Sequence, residues 1–129
     1  MSKWAELQKS KGDKIVEGIA ASSGMAVGQV RNVHEHVPEL MAEIQPGEVV
    51  VGYRFKAEHC NYVKIAAALV TDSGGVFSAA AFMARTYGLP AVTGTTKGTS
   101  ILKNGQKVVV DGAEGAVYTY KDKATGKHK

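Results

Sequence analysis

The sequence has little cysteine, proline and tryptophan, and no long apolar run. Its 129 residues include one cysteine, three prolines and one tryptophan. The single cysteine, Cys60, excludes an internal disulfide and any cysteine-rich zinc or iron–sulfur site. No apolar run is longer than that of residues 65–70, which is far shorter than the ~20 residues of a membrane-spanning helix. Since the start is also polar, the sequence predicts a soluble, cytoplasmic protein that does not bind a membrane.

The body of the chain also lacks an excess of positive charge. The net charge is +4, but residues 121–129 carry +3 of it and residues 1–17 carry +1. Nucleic-acid binding requires a basic face that neutralises several phosphates, so the neutral body predicts no nucleic-acid partner. We expect residues 1–13 to be a polar N-terminal lead and residues 121–129 to be a basic flexible tail.

Glycine, in contrast, is abundant, at 15 residues, and it separates short segments that are predicted to be strands and helices. Residues 14–120 are predicted to form a single α/β domain. Strands that alternate with helices predict a parallel β-α-β-α-β centre, and we expect β-hairpins to flank it at residues 14–33 and 107–120. The predicted strands are residues 14–21, 26–33, 48–53, 68–71, 91–93, 107–111 and 116–120, and the predicted helices are residues 56–67 and 78–87.

Several familiar catalytic and metal-binding motifs are absent. In residues 94–100, GTTKGTS, Lys97 precedes Gly98, which is the reverse of the order in a P-loop. His34 and His36 stand two apart, but no third ligand is near them in the sequence, so no metal site is predicted.

Residues 68–94 are the most informative stretch, because a strand, two glycines and a helix start follow one another. The first N–H groups of a helix are unsatisfied, and the helix dipole adds partial positive charge there. Gly74, Gly75 and Ser78 are therefore candidate anion-binding residues, with Arg85 as a further candidate that could hold an anion by charge. The alternative is that the glycines form only a tight turn and that Arg85 forms a surface salt bridge. A positive φ at Gly75 would support the anion site.

The same residues carry a family resemblance. The chain resembles the phosphohistidine swivelling (mobile) domain of phosphoenolpyruvate-utilising enzymes, such as pyruvate phosphate dikinase and phosphoenolpyruvate synthase. The resemblance implies the swivelling β/β/α fold. It extends over most of residues 18–118 and rests on Gly18-Ile19-Ala20-Ala21-Ser22, Pro46-Gly47-Glu48-Val49, Val70-Thr71-Asp72, Gly74-Gly75, Ser78, Ala80-Ala81, Ala84-Arg85, Gly88, Pro90-Ala91-Val92, Gly94 and Asp111-Gly112.

At the centre of the resemblance this chain departs from the family pattern. The residue after Ser78 is the phosphoryl-carrying histidine in the family, and here it is Ala79. The family threonine two positions before that histidine is Phe77 here. The resemblance therefore implies no catalytic residue and no cofactor in this chain. It also implies a protein partner with nucleotide- or phosphoenolpyruvate-binding domains, which would use Mg²⁺ with phosphoenolpyruvate or ATP.

Three functions follow from these observations. The chain could be a degenerate mobile domain that acts as a non-catalytic subunit or regulator. It could be a phosphotransferase component whose acceptor has moved to His59, at the same edge of the predicted sheet as Gly74. It could also be a module that binds a small anion at the helix start without covalent chemistry.

Overall fold

The strands form one eight-stranded mixed sheet in a computed structural model that describes residues 3–33 and 38–122. Across the sheet the strand order is β1-β8-β7-β3-β4-β5-β6-β2. The strands are β1 Lys11–Glu17, β2 Ile19–Ser22, β3 Met25–Asn32, β4 Val49–Gly52, β5 Ala68–Thr71, β6 Ala91–Thr93, β7 Lys107–Asp111 and β8 Ala116–Tyr120, and the helices are α1 Lys3–Lys9, α2 Pro38–Met41, α3 Cys60–Val63, α4 Ala79–Tyr87 and α5 Gly98–Ile101.

The centre of the sheet is parallel, as predicted. Strand β4 pairs with β3 and β5, and β5 pairs with β6, all in parallel. Helices α3 and α4 supply the crossovers of the β4-α3-β5-α4-β6 unit. All residues of β4, β5 and β6 are buried, which explains why their sequences are continuous apolar runs rather than alternating ones. The α/β fold class expected from the sequence is confirmed.

The C-terminal hairpin is also as predicted. Strands β7 and β8 pair antiparallel, and the turn between them ends at Gly115, with φ +85°. The Asp111 carboxylate accepts the N–H groups of Ala113 and Glu114 at 3.0 and 2.9 Å. The turn is therefore stabilised by a side chain at its first position.

The N-terminal pairing differs from the hairpin expected over residues 14–33. Strand β1 pairs with β8 and β2 pairs with β6, at opposite ends of the strand order, while β3 pairs with β7 and β4. The extended segment is interrupted between β1 and β2 at Gly18, where a Cβ would lie 2.3 Å from the carbonyl oxygen of Thr93. Because only glycine permits that approach, the segment bends there and joins the two ends of the sheet.

Two apolar cores lie on opposite faces of the sheet. Alternate strand residues face opposite sides, so Val50 and Leu69 face the helical core, while Val51 and Val70 face the second core. The helical core contains Val33, Met41, Phe55, Val63, Ala80, Ala81, Met83 and Ala84 among others, and the second contains Val16, Val30, Leu102, Val108, Val110 and Val117 among others.

The segments outside the core differ from expectation in length. Residues 3–9 of the expected N-terminal lead form α1, which buries no residue, and β1 already begins at Lys11. The helix predicted for residues 56–67 is shorter, a 3-10 turn Ala57–His59 followed by α3. The longest helix described, α4, has nine residues, so none of the described helices could cross a membrane. Residues 123–129 of the predicted tail lie outside the described residues.

Candidate functional site

The loop that joins β5 to α4 forms the floor of the candidate site. The Thr71 hydroxyl donates to the Ser73 carbonyl at 2.7 Å and turns the chain at the end of β5. Gly74 follows with φ +106°, and a Cβ there would lie 2.9 Å from Ser78 Cβ. Gly75 does not have a positive φ, and a Cβ there would meet only Ile19 Cδ1, at 3.9 Å. The glycine that this loop requires is therefore Gly74, and the positive φ considered for Gly75 is absent.

Ser78 caps the N-terminus of α4. Its backbone is extended, with φ −69° and ψ 161°, and its Oγ accepts the Ala81 N–H at 3.3 Å. The same hydroxyl donates to the Gly75 carbonyl at 2.8 Å. Both hydrogen-bonding functions of this side chain are thus used to hold the loop against the helix, an ordinary role for an N-cap serine.

A second loop, after β6, is fixed to the first by Asp72. The Asp72 carboxylate accepts the Thr99 N–H at 2.8 Å and the Thr99 hydroxyl at 2.5 Å. The Asp72 carbonyl accepts the N–H of Thr96, whose φ is +71°. A non-glycine residue in this region is strained, so these hydrogen bonds hold a conformation that the chain would otherwise avoid.

A cleft of about 380 Å³ opens above the start of α4. It is lined by Arg54, Phe55, Lys56, Ser73, Gly74, Ser78, Ala79 and Ala80. Ala79 is the first residue of α4 and is half-buried at the cleft wall. The cleft thus unites three of the sequence-predicted positions, Gly74, Ser78 and Ala79, whereas Gly75 is not among its lining residues.

Two basic residues of the cleft were missed in the sequence analysis. Arg54 and Lys56 are exposed, and neither forms a salt bridge among residues 3–33 and 38–122. They follow β4, which pairs in parallel with β5. Since the carboxyl ends of neighbouring parallel strands meet at one edge, their position after a predicted strand was a usable signal. The cleft therefore carries two positive side chains beside a helix N-terminus.

His59, the alternative acceptor, lies near this edge but points inward. Its side chain is buried, with 7% of the residue exposed. Its Nδ1 accepts the Lys56 N–H at 3.0 Å, and its ring meets Phe55 edge-on at 6.4 Å between centroids. The histidine thus closes the short turn before α3 and packs against the core.

Arg85 lies apart from the other candidates. Its guanidinium donates to the Ala21 carbonyl at 2.9 Å and lines a different cleft, of about 470 Å³, with Ser22, Ser23 and Gly112. Arg85 is seven residues beyond Ser78, so it is about 10 Å further along the helix axis. It does not reach the start of α4, and it forms no salt bridge, the alternative considered above, with any described residue.

No metal centre is found in the described part of the chain. Its histidine, cysteine and acidic side chains form no group of three or more that could hold an ion. The pair His34 and His36 lies outside the described residues. Near α4, the hydrogen bond with the Cys60 thiol raises the pKa of the Tyr87 hydroxyl, but neither residue lines the cleft at the start of the helix.

Comparison with known proteins places this fold and loop in a family. Residues 44–115 match the model of the PEP-utilising enzyme mobile domain. The phosphoenolpyruvate synthase of Aeropyrum pernix is 42% identical over 108 residues, which cover 84% of this chain and 13% of that protein. The chain therefore spans only a small part of the curated relatives that it matches.

Two solved structures have folds similar to that of this chain. An NMR structure of Enzyme I is 33% identical with a TM-score of 0.56, and the match covers 66% of this chain and 35% of that one. The holo-form of Thermococcus kodakaraensis aconitase X is 26% identical with a TM-score of 0.55, and the match covers 84% of this chain and 95% of that chain. From the family match, the sequence identity and the shared fold, the chain belongs to the family of PEP-utilising enzyme mobile domains.

Proposed function

We propose that this chain is a non-catalytic mobile domain that acts as a subunit or regulator of a partner protein. The observation that carries the proposal is Ala79 at the first position of α4, where the family resemblance expects the phosphoryl-carrying histidine. A carrier histidine bonds to phosphorus through an imidazole nitrogen, whereas the methyl group of Ala79 has no nucleophilic atom.

The other polar side chains of the cleft do not replace the missing imidazole. Arg54 and Lys56 are cations that donate hydrogen bonds and have no free lone pair. The Ser78 hydroxyl already donates to Gly75 and accepts from Ala81. A serine becomes nucleophilic only beside a general base, and none of the described residues that line this cleft is a base. These observations favour a role in binding over a role in phosphoryl transfer.

The burial of His59 argues against a relocated acceptor. An acceptor must meet the phosphoryl donor of another domain, and His59 is 7% exposed, with Nδ1 already accepting the Lys56 N–H. Transfer to its ring would require the turn Ala57–His59 to open.

The proposed role requires further domains, because the match spans only 13% of the Aeropyrum pernix phosphoenolpyruvate synthase. In the proposed assembly the partner supplies the nucleotide- or phosphoenolpyruvate-binding domains and their Mg²⁺, and this chain needs no cofactor. Its cytoplasmic location stays a prediction.

The test is phosphoryl transfer from labelled phosphoenolpyruvate. The protein is incubated with a phosphoenolpyruvate synthase whose own mobile domain has been deleted, and acid-labile phosphate on the chain is measured. We expect no label on the wild type and label on the Ala79→His variant. The deleted mobile domain, added back as a separate protein, is the positive control. Acid-labile phosphate on the wild type that disappears in His59→Gln would overturn the proposal in favour of the relocated acceptor.

A second candidate function, binding of a small anion without covalent chemistry, is favoured by Arg54 and Lys56. Both line the same cleft as Gly74 and the start of α4. Titration with inorganic phosphate or phosphoenolpyruvate, followed at the backbone amides of residues 74–79 by NMR, tests it. Saturable shifts that vanish in the Arg54→Ala, Lys56→Ala double variant would support this second function.

A further inference from the structure

Apolar side chains stand exposed beside the start of α4. Phe77 is 95% exposed, Val76 42% and Ile19 40%. The Ile19 Cδ1 atom lies 3.9 Å from where a Cβ on Gly75 would be, so Ile19 belongs to the same surface as the loop. Ile19, Val76 and Phe77 are called the apolar rim. Single exposed apolar residues are common on protein surfaces, whereas here three of them lie around one loop.

Positive charge borders this apolar rim. Phe77 immediately precedes Ser78, and Ser78 lines the cleft that also contains Arg54 and Lys56. Neither cation forms a salt bridge within the part of the chain that is described. The N-terminus of α4 adds partial positive charge at the same place. One exposed surface thus combines an aromatic ring with two cations that have no carboxylate partner among the described residues.

We propose that the apolar rim, Arg54 and Lys56 form one docking surface for a partner protein that presents an apolar socket bordered by carboxylates. This inference rests on the proposed function and adds the chemistry of the partner's surface. Phe77 is the anchor, because an aromatic side chain that becomes buried at the centre of an interface contributes much of its affinity. Carboxylates at the border of the socket pair with Arg54 and Lys56, which fixes orientation and speeds association.

Neither a second apolar surface of this chain nor a second copy of the chain as the binding partner agrees with the observed charges as well. A second apolar groove, of about 180 Å³, contains Phe82, Cys60 and Tyr87, but every residue that lines it is uncharged, so nothing there specifies a partner. A second copy of this chain would bring Arg54 and Lys56 against their own counterparts, since both copies use the same patch in a two-fold interface. Like charges facing one another oppose that association.

The test begins with a photo-crosslinking residue, p-benzoylphenylalanine, placed at position 77 in cells that contain the partner. The cross-linked protein is identified and purified, and its Kd is measured for the wild type and three variants. These are Phe77→Ala, the charge reversal Arg54→Glu with Lys56→Glu, and Phe82→Ala as a matched exposed-aromatic control. All four side chains are exposed, so the variants are expected to fold, which thermal melting verifies.

We expect Phe77→Ala and the charge reversal each to weaken binding at least tenfold, and Phe82→Ala to change it less than twofold. The wild-type Kd should rise between 50 and 300 mM salt, because the charge pairs are screened. The docking surface would be overturned if Phe82→Ala weakened binding as much as Phe77→Ala, or if charge reversal left the Kd unchanged. It would also be overturned if position 77 cross-linked only to other copies of the chain or to no protein. Phosphate on the wild-type chain, measured separately, would instead overturn the proposed function.

Discussion

Gly74 is the residue on which the candidate site depends, and replacing it with alanine should destabilise the whole domain. Its φ of +106° is one that an L side chain rarely adopts. Placing a Cβ in left-handed backbone costs roughly 1–2 kcal/mol. The new Cβ would also lie 2.9 Å from Ser78 Cβ, a backbone-anchored atom that cannot rotate away. Overpacking of this kind costs about 1–3 kcal/mol.

Together these effects predict a loss of about 2–5 kcal/mol in the free energy of unfolding for Gly74→Ala. With an unfolding entropy of about 2.1 cal/mol/K per residue, a chain of this length should lose about 7–18 °C in Tm. Urea denaturation followed by circular dichroism measures the first quantity, and a thermal melt measures the second.

The matched control is Gly75→Ala, one residue along the same loop. Gly75 lacks the positive φ, and its added Cβ would make only an ordinary contact of 3.9 Å with Ile19 Cδ1. We expect a change of less than about 0.5 kcal/mol, the usual range for a surface substitution. Equal stability of the two variants, or a larger loss at Gly75, would refute the assignment of Gly74 as the strained position.

Two further predictions concern the C-terminal hairpin. Alanine at position 112 would place its Cβ 1.9 Å from the Ser22 carbonyl oxygen, so Gly112→Ala should fail to fold. Gly105 has a φ of +83° but open space around it, so the control Gly105→Ala should lose only about 1–2 kcal/mol in the free energy of unfolding, measured by urea titration. The hydrogen bond from Tyr118 lowers the pKa of Glu114 in the folded protein. The ionised Glu114 carboxylate therefore stabilises the fold fully above its unfolded pKa of about 4.3. This stabilisation is lost as the pH falls through the lowered folded-state pKa. Tyr118→Phe should therefore reduce the loss of stability between about pH 5 and pH 3, and an unchanged pH profile would contradict this.

Local sequence signals predicted the elements that local interactions determine. The bounds of β5, β7 and β8 agree with the predicted strands, and α4 ends as expected at Gly88, in left-handed conformation with φ +70°. Each of these elements has a boundary signal within a few residues of its end, which is a glycine pair, a turn or a C-cap.

The elements that distant partners determine were not predicted. Strands β1 and β2 pair with β8 and β6, which are separated from them by about 70 to 110 residues of chain, and nothing in residues 14–33 specifies those partners. For the site, Gly74, Ser78 and Ala79 lie together because they are neighbours in sequence. Arg54 and Lys56 join them only through the parallel pairing of β4 with β5.

The residues that build the loop differ from Ala79, the position that the family resemblance aligns with the phosphoryl-carrying histidine. Ala79 is half-buried at the cleft wall and packs against the helical core, which contains the buried residues Ala80, Ala81 and Met83 of α4. The loop itself includes Gly74 at positive φ, and Asp72 holds the strained neighbouring loop through hydrogen bonds. Strained backbone persists only when its surroundings enforce it, and it is concentrated at sites with a function. In the proposed function this strained loop takes part in binding a partner, and the exposed ring of Phe77 beside it supplies the contact.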